Sequence, residues 1–246
     1  MAKPRKGKLT KENFGYSMPM DAPLYNKPPI YYKNVEVILI PFETDEAAAV
    51  AMLPEGLELT SPATAAVMFI QYHFSSFGAY DEAILGINCL WKGAPKIYFP
   101  HIVVNNNEIP LAGGREIWGY SKKFAHIQIT QEGDLFMCTM ERPKGNRIVT
   151  GIFKPSLRIP DAEIPFEPLS LRVIPGSEEG AAGVAELVEA DVEMIDPDLW
   201  MGTGSLQFHS TSVFDPWHKL EIKKVLDAMY INYDGVLGLP KVLKRY

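Results

Sequence analysis

Short runs of apolar residues, many of them alternating with polar residues, recur along most of the chain. β-Branched and aromatic residues dominate these runs, and clusters of Gly, Pro and Asn separate them, as is typical of β-strands bounded by turns. The pattern predicts strands over residues 35–40, 65–74, 84–91, 97–104, 125–130, 134–141, 147–153, 169–175, 183–194 and 204–208. So many short strands favour one large antiparallel assembly, a barrel or a sandwich, over a doubly wound parallel sheet.

Two segments have the features of helices. Residues 44–52 begin with Thr44 as a capping residue, carry acids in the first turn and end before Pro54. Residues 217–229 place several apolar side chains near one face of a helix. We therefore predict few helices.

The first 29 residues differ from the rest of the chain. They are rich in Pro, Lys and Tyr and have no hydrophobic periodicity, which predicts an extended arm over residues 1–29 that lies on the surface or on a neighbouring subunit. Residues 30–246 are enough for one β-rich domain. We expect a homo-oligomer.

Charge and composition exclude several classes of partner. The chain has 24 Lys plus Arg against 30 Asp plus Glu, and this net charge of -6 opposes binding to nucleic acid. The basic first residues are not followed by an apolar run, so they do not form a secretory signal. Because no run approaches the roughly 18 apolar residues of a membrane span, we expect a cytoplasmic protein without a membrane partner.

The sequence lacks the common cofactor and metal motifs. No GxGxxG or Walker loop is present, Gly202-Thr203-Gly204 is only a weak partial match, and no GxSxG anchors a hydrolase triad. The five histidines have no i, i+4 pairing, and Cys89 and Cys138 sit in apolar runs typical of buried thiols. We expect no cofactor and no metal.

The adjacent lysines Lys122 and Lys123 are the strongest candidates for chemistry. Such a pair is usually a solvated basic face. Here an apolar and aromatic stretch, residues 117–120, precedes the pair and Phe124 follows it, whereas an exposed turn more often carries Asp, Asn or Ser. Gly113-Gly114 allows a tight turn upstream. From these residues alone, a surface role and a functional role both stay open.

A lysine amine attacks a ketone only when it is neutral. The free amine has a pKa of about 10.4, so roughly one in a thousand is uncharged at neutral pH. Burial in an apolar pocket and a second nearby cation both disfavour the ammonium form. Two lysines in an apolar setting therefore suit an amine nucleophile that forms a Schiff base.

The lysine segment resembles the Schiff-base region of the acetoacetate decarboxylase family. That region has the form Gly-Arg-Glu, four or so residues, then Tyr-Pro-Lys-Lys, and here Gly114-Arg115-Glu116 precedes Tyr120-Ser121-Lys122-Lys123. Residues 53–58, 78–82 and 172–176 resemble the family's Val-Pro-Glu-Pro-Leu-Glu, Gly-Cys-Tyr-Thr-Glu and Lys-Ile-Ile-Pro-Asn. The resemblance covers about residues 30–230. It implies a β-rich α+β fold: a single-domain antiparallel cone or barrel with few helices, enclosing a pocket.

The resemblance also implies roles for individual residues. It makes Lys122 the Schiff-base lysine, Lys123 the neighbouring cation and Glu82 the acid of the pocket. The expected substrate-binding residues are Arg115, Glu116, Trp118, Tyr120, Val35 and Met68. Of these, Val35 stands where the family has an arginine for the substrate carboxylate, and Met68 stands, within one residue, where it has a second glutamate. Tyr120 is either a hydrogen-bond donor or a packing residue.

Together these features predict a lyase that forms a Schiff base between Lys122 and a small oxo acid or ketone. Because Val35 and Met68 are apolar, we expect it to favour aldol condensation or dehydration on 2-oxo acids, as in aldolase-dehydratase-like relatives. The alternatives are a true 3-oxo acid (acetoacetate) decarboxylase and a non-catalytic protein that binds a small ligand. Glu82 either transfers protons or is a structural carboxylate that pairs with Arg115.

Overall fold

The computed structural model describes residues 3–160, 162, 164–180 and 183–246, so Met1 and Ala2 of the predicted arm lie outside the described residues. Within them the chain forms one 15-stranded sheet. Strands β1 to β15 are, in chain order, Ile30–Glu43, Leu57–Leu59, Thr64–Ser75, Tyr80–Trp91, Ala94–Val104, Lys123–Phe124, His126–Glu132, Leu135–Glu141, Arg147–Ile159, Pro168–Ile174, Val184–Glu189, Val192–Phe208, Lys224–Val225, Ala228–Leu237 and Lys241–Arg245.

The sheet is antiparallel apart from two pairings that involve β5. Its main path runs β15-β11-β10-β5-β4-β3-β1-β14-β12-β9-β8-β7, with β13 paired to β1, β2 to β4 and β6 to β5. Strand β5 pairs in parallel with β6 and with β10. The predicted β-rich α+β class is confirmed: the fold is built mainly of strands, encloses a pocket and has few helices.

The predicted strand segments all fall on strands, although several ends differ by one residue and one segment spans two strands. Residues 183–194 span both β11 and the start of β12, and β12 continues without a break to Phe208. A change of register between Ile195 and Asp198 lets this long strand bend, with Asp196 at a φ of 50°.

The helices agree less well with the prediction. Helix α1 spans Glu46–Val50, and the Asp45 side chain, not Thr44, accepts the capping hydrogen bond, from the Ala48 amide at 2.9 Å. The helix predicted over residues 217–229 is wrong: a 3-10 turn at Trp217–Lys219 leads into β13 and β14. Strand pairing with β1 overrides the weak helical pattern there, as the position of Val225 opposite Phe42 shows.

A second helix, α2, spans Glu108–Ile117, where the sequence predicted a turn at Gly113-Gly114. The side chain of Asn107 caps it by accepting from the Ile109 amide at 3.0 Å. Pro110 lies in its first turn, where a missing amide hydrogen costs nothing. No helix among the described residues is both long and apolar enough to cross a membrane.

Alternation along the central strands separates two apolar clusters. Ile40, Phe69 and Leu85 point to one face of β1, β3 and β4 and pack in one core, while Met68 and Ile84 point to the other face. The second face lines a cavity. Strand alternation thus decides which side chains can reach the site.

Part of the predicted arm packs against the rest of the chain. Ser17 and Tyr25 are buried, and the Tyr25 ring packs edge-on against Phe77. The Tyr25 hydroxyl also donates a hydrogen bond to Glu116 on α2. The boundary between an arm at residues 1–29 and a domain at residues 30–246 stays a prediction.

Candidate active site

The second face of the sheet and helix α2 enclose a cavity of about 600 Å³. Most of its wall is aliphatic or aromatic, from strands β1, β3, β4, β5, β12 and β14. Lys122 and Glu82 are the charged groups at its α2 end. The cavity therefore combines a largely apolar wall with one concentrated polar site.

Lys122 and Glu82 form a buried ion pair. Each side chain is only 4% exposed, and the Lys122 ammonium contacts Oε1 of Glu82. The other carboxylate oxygen accepts a hydrogen bond from the Tyr72 hydroxyl at 3.1 Å. The ammonium also lies 5.4 Å from the Tyr80 ring centre and 5.5 Å from that of Tyr120, within range of a cation–π interaction.

A set of five buried or partly buried tyrosines surrounds this pair. They are Tyr32, Tyr72, Tyr80, Tyr120 and Tyr233. Burial raises the pKa of each phenol above its ordinary value, and the negative charge of Glu82 adds to the effect. All five therefore stay neutral at physiological pH and can donate hydrogen bonds inside the cavity.

Of this tyrosine set, the sequence prediction contained only Tyr120. Tyr80 lies two residues before Glu82 on β4 and shares its face, so alternation could have identified it. Tyr72 lies opposite Tyr80 only through the β3–β4 register, and Tyr233 lies opposite Val35 on another strand. Those positions depend on strand pairing that no local pattern supplies.

Helix α2 and the turn after it position Lys122. Gly119 follows the helix with a φ of 70°, and a Cβ there would lie 2.5 Å from Cα of Arg172, so both backbone shape and space require glycine. The amide of Tyr120 donates to the Gly114 carbonyl at 3.0 Å. Ser121 stands where the family pattern has proline, and its hydroxyl donates to the Pro100 carbonyl at 3.0 Å.

Lys123 does not lie beside Lys122 in the cavity, contrary to its expected role as the neighbouring cation. Successive residues of an extended segment point to opposite sides, and the Lys123 side chain is 39% exposed. Its ammonium donates to the Phe214 carbonyl at 2.6 Å and to Oδ1 of Asp215 at 3.1 Å. Its contacts tie β6 to the segment that contains Asp215.

Arg115 and Glu116 also lie outside the cavity, which corrects their expected substrate contacts. Both are exposed on α2. The Arg115 guanidinium donates to the backbone carbonyl of Lys122 at 3.1 Å, so it supports the lysine segment from outside. The alternative pairing of Glu82 with Arg115 does not occur, because Glu82 pairs with Lys122.

Trp118, Tyr120 and Met68 line the cavity as expected, whereas Val35 does not. Val35 is fully buried in the same apolar cluster as the wall, in register with Tyr72 and Tyr233. Trp118 is also fully buried, and its indole donates to the Gly238 carbonyl at 2.9 Å, which fixes the ring at the α2 end of the cavity.

Among the described residues that line the cavity, the cations are Lys122 and Lys96, and none is arginine. Lys96 contacts Glu167, and its ammonium lies 2.5 Å from a carboxylate oxygen of Glu189. Two carboxylates thus already neutralise Lys96. A substrate carboxylate in the cavity would meet tyrosine hydroxyls and Lys122 rather than a guanidinium.

The two cysteines are buried, as expected. Both are unpaired thiols inside apolar clusters. Burial raises the pKa of the Cys89 thiol to about 12 and that of Cys138 further. Neither lines the cavity.

Comparisons with known proteins agree with this fold. The family described as Acetoacetate decarboxylase (ADC) matches residues 17–246. Acetoacetate decarboxylase 2 of Mesorhizobium japonicum is 30% identical over 237 residues, which cover 94% of this chain and 89% of that relative. The family match over residues 17–246 covers nearly the whole chain and includes both Glu82 and Lys122.

Solved structures give the same answer. The acetoacetate decarboxylase of Legionella pneumophila superposes with a TM-score of 0.85 at 27% identity, covering 99% of both chains. The enduracididine biosynthesis enzyme MppR, solved with the condensation product of pyruvate and imidazole 4-carboxaldehyde, superposes with a TM-score of 0.81 over 97% of this chain and 99% of its own. At 20% identity, MppR shares the fold. The chain is therefore an enzyme, a lyase, and it belongs to the acetoacetate decarboxylase family.

Proposed function

We propose that Lys122 forms a Schiff base with the carbonyl carbon of an oxo acid or ketone. The observation that carries this proposal is the contact between the buried Lys122 ammonium and the buried Glu82 carboxylate at the end of an apolar cavity. Transfer of one proton across this contact gives a neutral amine and a neutral acid. An apolar site favours that neutral pair relative to the ion pair, because charges lose their hydration there.

The chemistry then follows from the imine. The neutral amine adds to the carbonyl carbon, and the carbonyl oxygen leaves as water with the proton that Glu82 took from Lys122. The resulting iminium withdraws electrons from the adjacent carbon. That carbon can lose a proton to Glu82, giving an enamine that condenses with an aldehyde. Alternatively, in a 3-oxo acid the bond between that carbon and the carboxylate breaks, carbon dioxide leaves, and the enamine takes up a proton that Glu82 relays from solvent. Hydrolysis of the imine restores Lys122.

We favour enamine chemistry on 2-oxo acids, of the aldol condensation or dehydration type. Decarboxylation requires the substrate carboxylate to be held in one orientation, whereas proton exchange requires only the imine and a base. Among the described lining residues there is no guanidinium to hold that carboxylate, and Met68 is apolar. The alternative, decarboxylation of a 3-oxo acid, is favoured by the names of relatives such as the Mesorhizobium japonicum protein.

The test compares two reactions in the same protein. We expect measurable deuterium exchange at the methyl group of pyruvate and weak release of carbon dioxide from acetoacetate. Lys122→Arg should abolish exchange because a guanidinium stays protonated, while Lys123→Arg, whose side chain lies outside the cavity, is the matched control. Efficient carbon dioxide release without exchange would favour the decarboxylase. Loss of exchange in the Lys123 variant alone would contradict the assignment of the nucleophile.

A further inference from the structure

The cavity continues along the strands well beyond the Lys122–Glu82 pair. The lining side chains form rows across the sheet, because β3 pairs in register with β1 on one side and with β4 on the other. From the reactive end outward, the rows are Val37, Ile70 and Glu82; then Leu39, Met68 and Ile84; then Pro41 and Ala66. Since neighbours on one face are about 6.8 Å apart along a strand, the three rows span about 14 Å.

Polarity changes sharply along this direction. Tyr72 and Tyr80 lie on one side of the Glu82 row, in register with each other. On the other side, the second and third rows are entirely apolar, and Met229 of β14 extends the second row opposite Leu39. The wall is thus polar where the carbonyl would react and apolar over the next two rows, and it becomes polar again past them, at Asn88, Lys96 and Glu167.

The volume exceeds what a four-carbon acid needs. A cavity of about 600 Å³ falls in the range that holds drug-sized ligands. Apolar cavities bind apolar ligands in preference to water, which finds too few hydrogen-bond partners there. Acetoacetate or pyruvate seated at Lys122 would leave the Leu39, Met68 and Ala66 positions without a partner.

We propose that the substrate is a carbonyl compound with a hydrocarbon tail that reaches the row of Pro41 and Ala66. This inference rests on the proposed Schiff base at Lys122, which fixes the carbonyl at the polar end. The tail lies along β1, β3 and β4. It need not end in an anion, because Lys96, the other cation in the described lining, is already held by Glu167 and Glu189.

A series of methyl ketones isolates the tail from any carboxylate. The protein is incubated with acetone, 2-butanone, 2-hexanone, 2-octanone or 2-dodecanone and borohydride, and the half-saturating concentration for adduct formation is measured by intact mass. Burial of a methylene is worth about 0.8 kcal/mol, so affinity should rise about threefold to fourfold per methylene, or about 100-fold from 2-butanone to 2-octanone.

Two failures of this experiment are distinguishable. Equal half-saturating concentrations across the series would overturn the tail proposal and leave the Schiff base intact. No adduct with any ketone or oxo acid would overturn the proposed function itself.

A substitution at the far row locates the tail. Ala66→Leu should fill this part of the cavity and lower the ratio of 2-dodecanone to acetone affinity at least tenfold, and the smaller Ala66→Val should lower it less. Ala47→Leu makes the same change on an exposed face of α1 and should leave the ratio at the wild-type value. An unchanged ratio in both Ala66 variants, with a normal unfolding transition, would place the tail elsewhere and contradict the proposal.

Discussion

Gly114 lies directly against the side chain of Lys122. A Cβ at Gly114 would be 2.9 Å from both Cδ and Cε of Lys122 and 3.1 Å from its amine nitrogen. Helix α2 therefore passes very close to the buried lysine. Because Gly114 has no side chain, the Lys122 side chain can occupy the space beside it. The glycine that looks like a turn residue in the sequence instead shapes the site.

Gly114→Ala should displace Lys122 and lower turnover at least tenfold, since a shift of about 1 Å at a reacting group can cost about 100-fold. Stability should change little, because alanine favours the helix by about 1 kcal/mol over glycine and offsets part of the crowding. Gly113→Ala, which faces Phe77 and Tyr25 instead, is the control for a general effect on α2. Full activity of Gly114→Ala in steady-state kinetics would contradict this geometry.

Glu82→Gln tests proton transfer. The amide keeps an oxygen for the Tyr72 hydroxyl but cannot accept a proton, so we expect kcat to fall by about 100-fold to 10,000-fold. Glu36→Gln makes the same change on the opposite face of β1, where Glu36 accepts from Tyr230 at 2.9 Å, and should retain turnover. If Glu82→Gln lowers only the free energy of unfolding, Glu82 is a structural carboxylate.

Lys123→Gln should act on stability rather than on catalysis. It removes one of the two cations on buried Asp215 and leaves Arg142, whose guanidinium donates at 2.7 Å. We expect a loss of about 1 to 3 kcal/mol in the free energy of unfolding, as for a hydrogen bond to a charged group. The pH–rate profile should keep its position, and a shifted profile would return Lys123 to the role of neighbouring cation.

His101 should make stability depend on pH. Burial, and next the positive charge of Lys123, lower the pKa of His101 to about 4, whereas Asp215 opposes this effect. In the unfolded chain the pKa is about 6.5, so below that pH the unfolded state binds a proton that the folded state does not. The free energy of unfolding should fall between pH 6.5 and about 4. Urea unfolding should find a smaller loss over this range in His101→Gln, and an equal loss would contradict the assignment.

Most strands up to β12 and the Lys122–Glu82 motifs could be predicted from the sequence because both depend on local patterns, whereas β13, β14 and β15 were not predicted. The alternation in residues 65–74 and 84–91 is visible within each strand. The spacing of the Gly-Arg-Glu and Lys-Lys motifs is likewise visible directly in the sequence. Helix α2 was missed because Pro110, Gly113 and Gly114 mimic a turn. The two glycines are explained by tertiary packing: Gly114 leaves space for Lys122, and Gly113 leaves space for Phe77.

Which side chains point into the cavity could be predicted less well than the strands. Lys122 and Lys123 are neighbours in the sequence but lie on opposite sides of the wall, so proximity along the chain did not place both in the cavity. The tyrosine set gathers residues from β1, β3, β4 and β14 and the turn after α2, and only the strand register brings them together. The apolar rows beyond Glu82 depend on the same register.

Borohydride trapping followed by peptide mapping tests the central claim most directly. With a methyl ketone or pyruvate present, the reduced adduct should map to Lys122 alone, because its amine is the one at the reactive end of the cavity. Lys122→Arg should give no adduct, and Lys123→Gln should give as much as the wild type. An adduct on Lys123 or Lys96, or none with any carbonyl compound tried, would contradict the account.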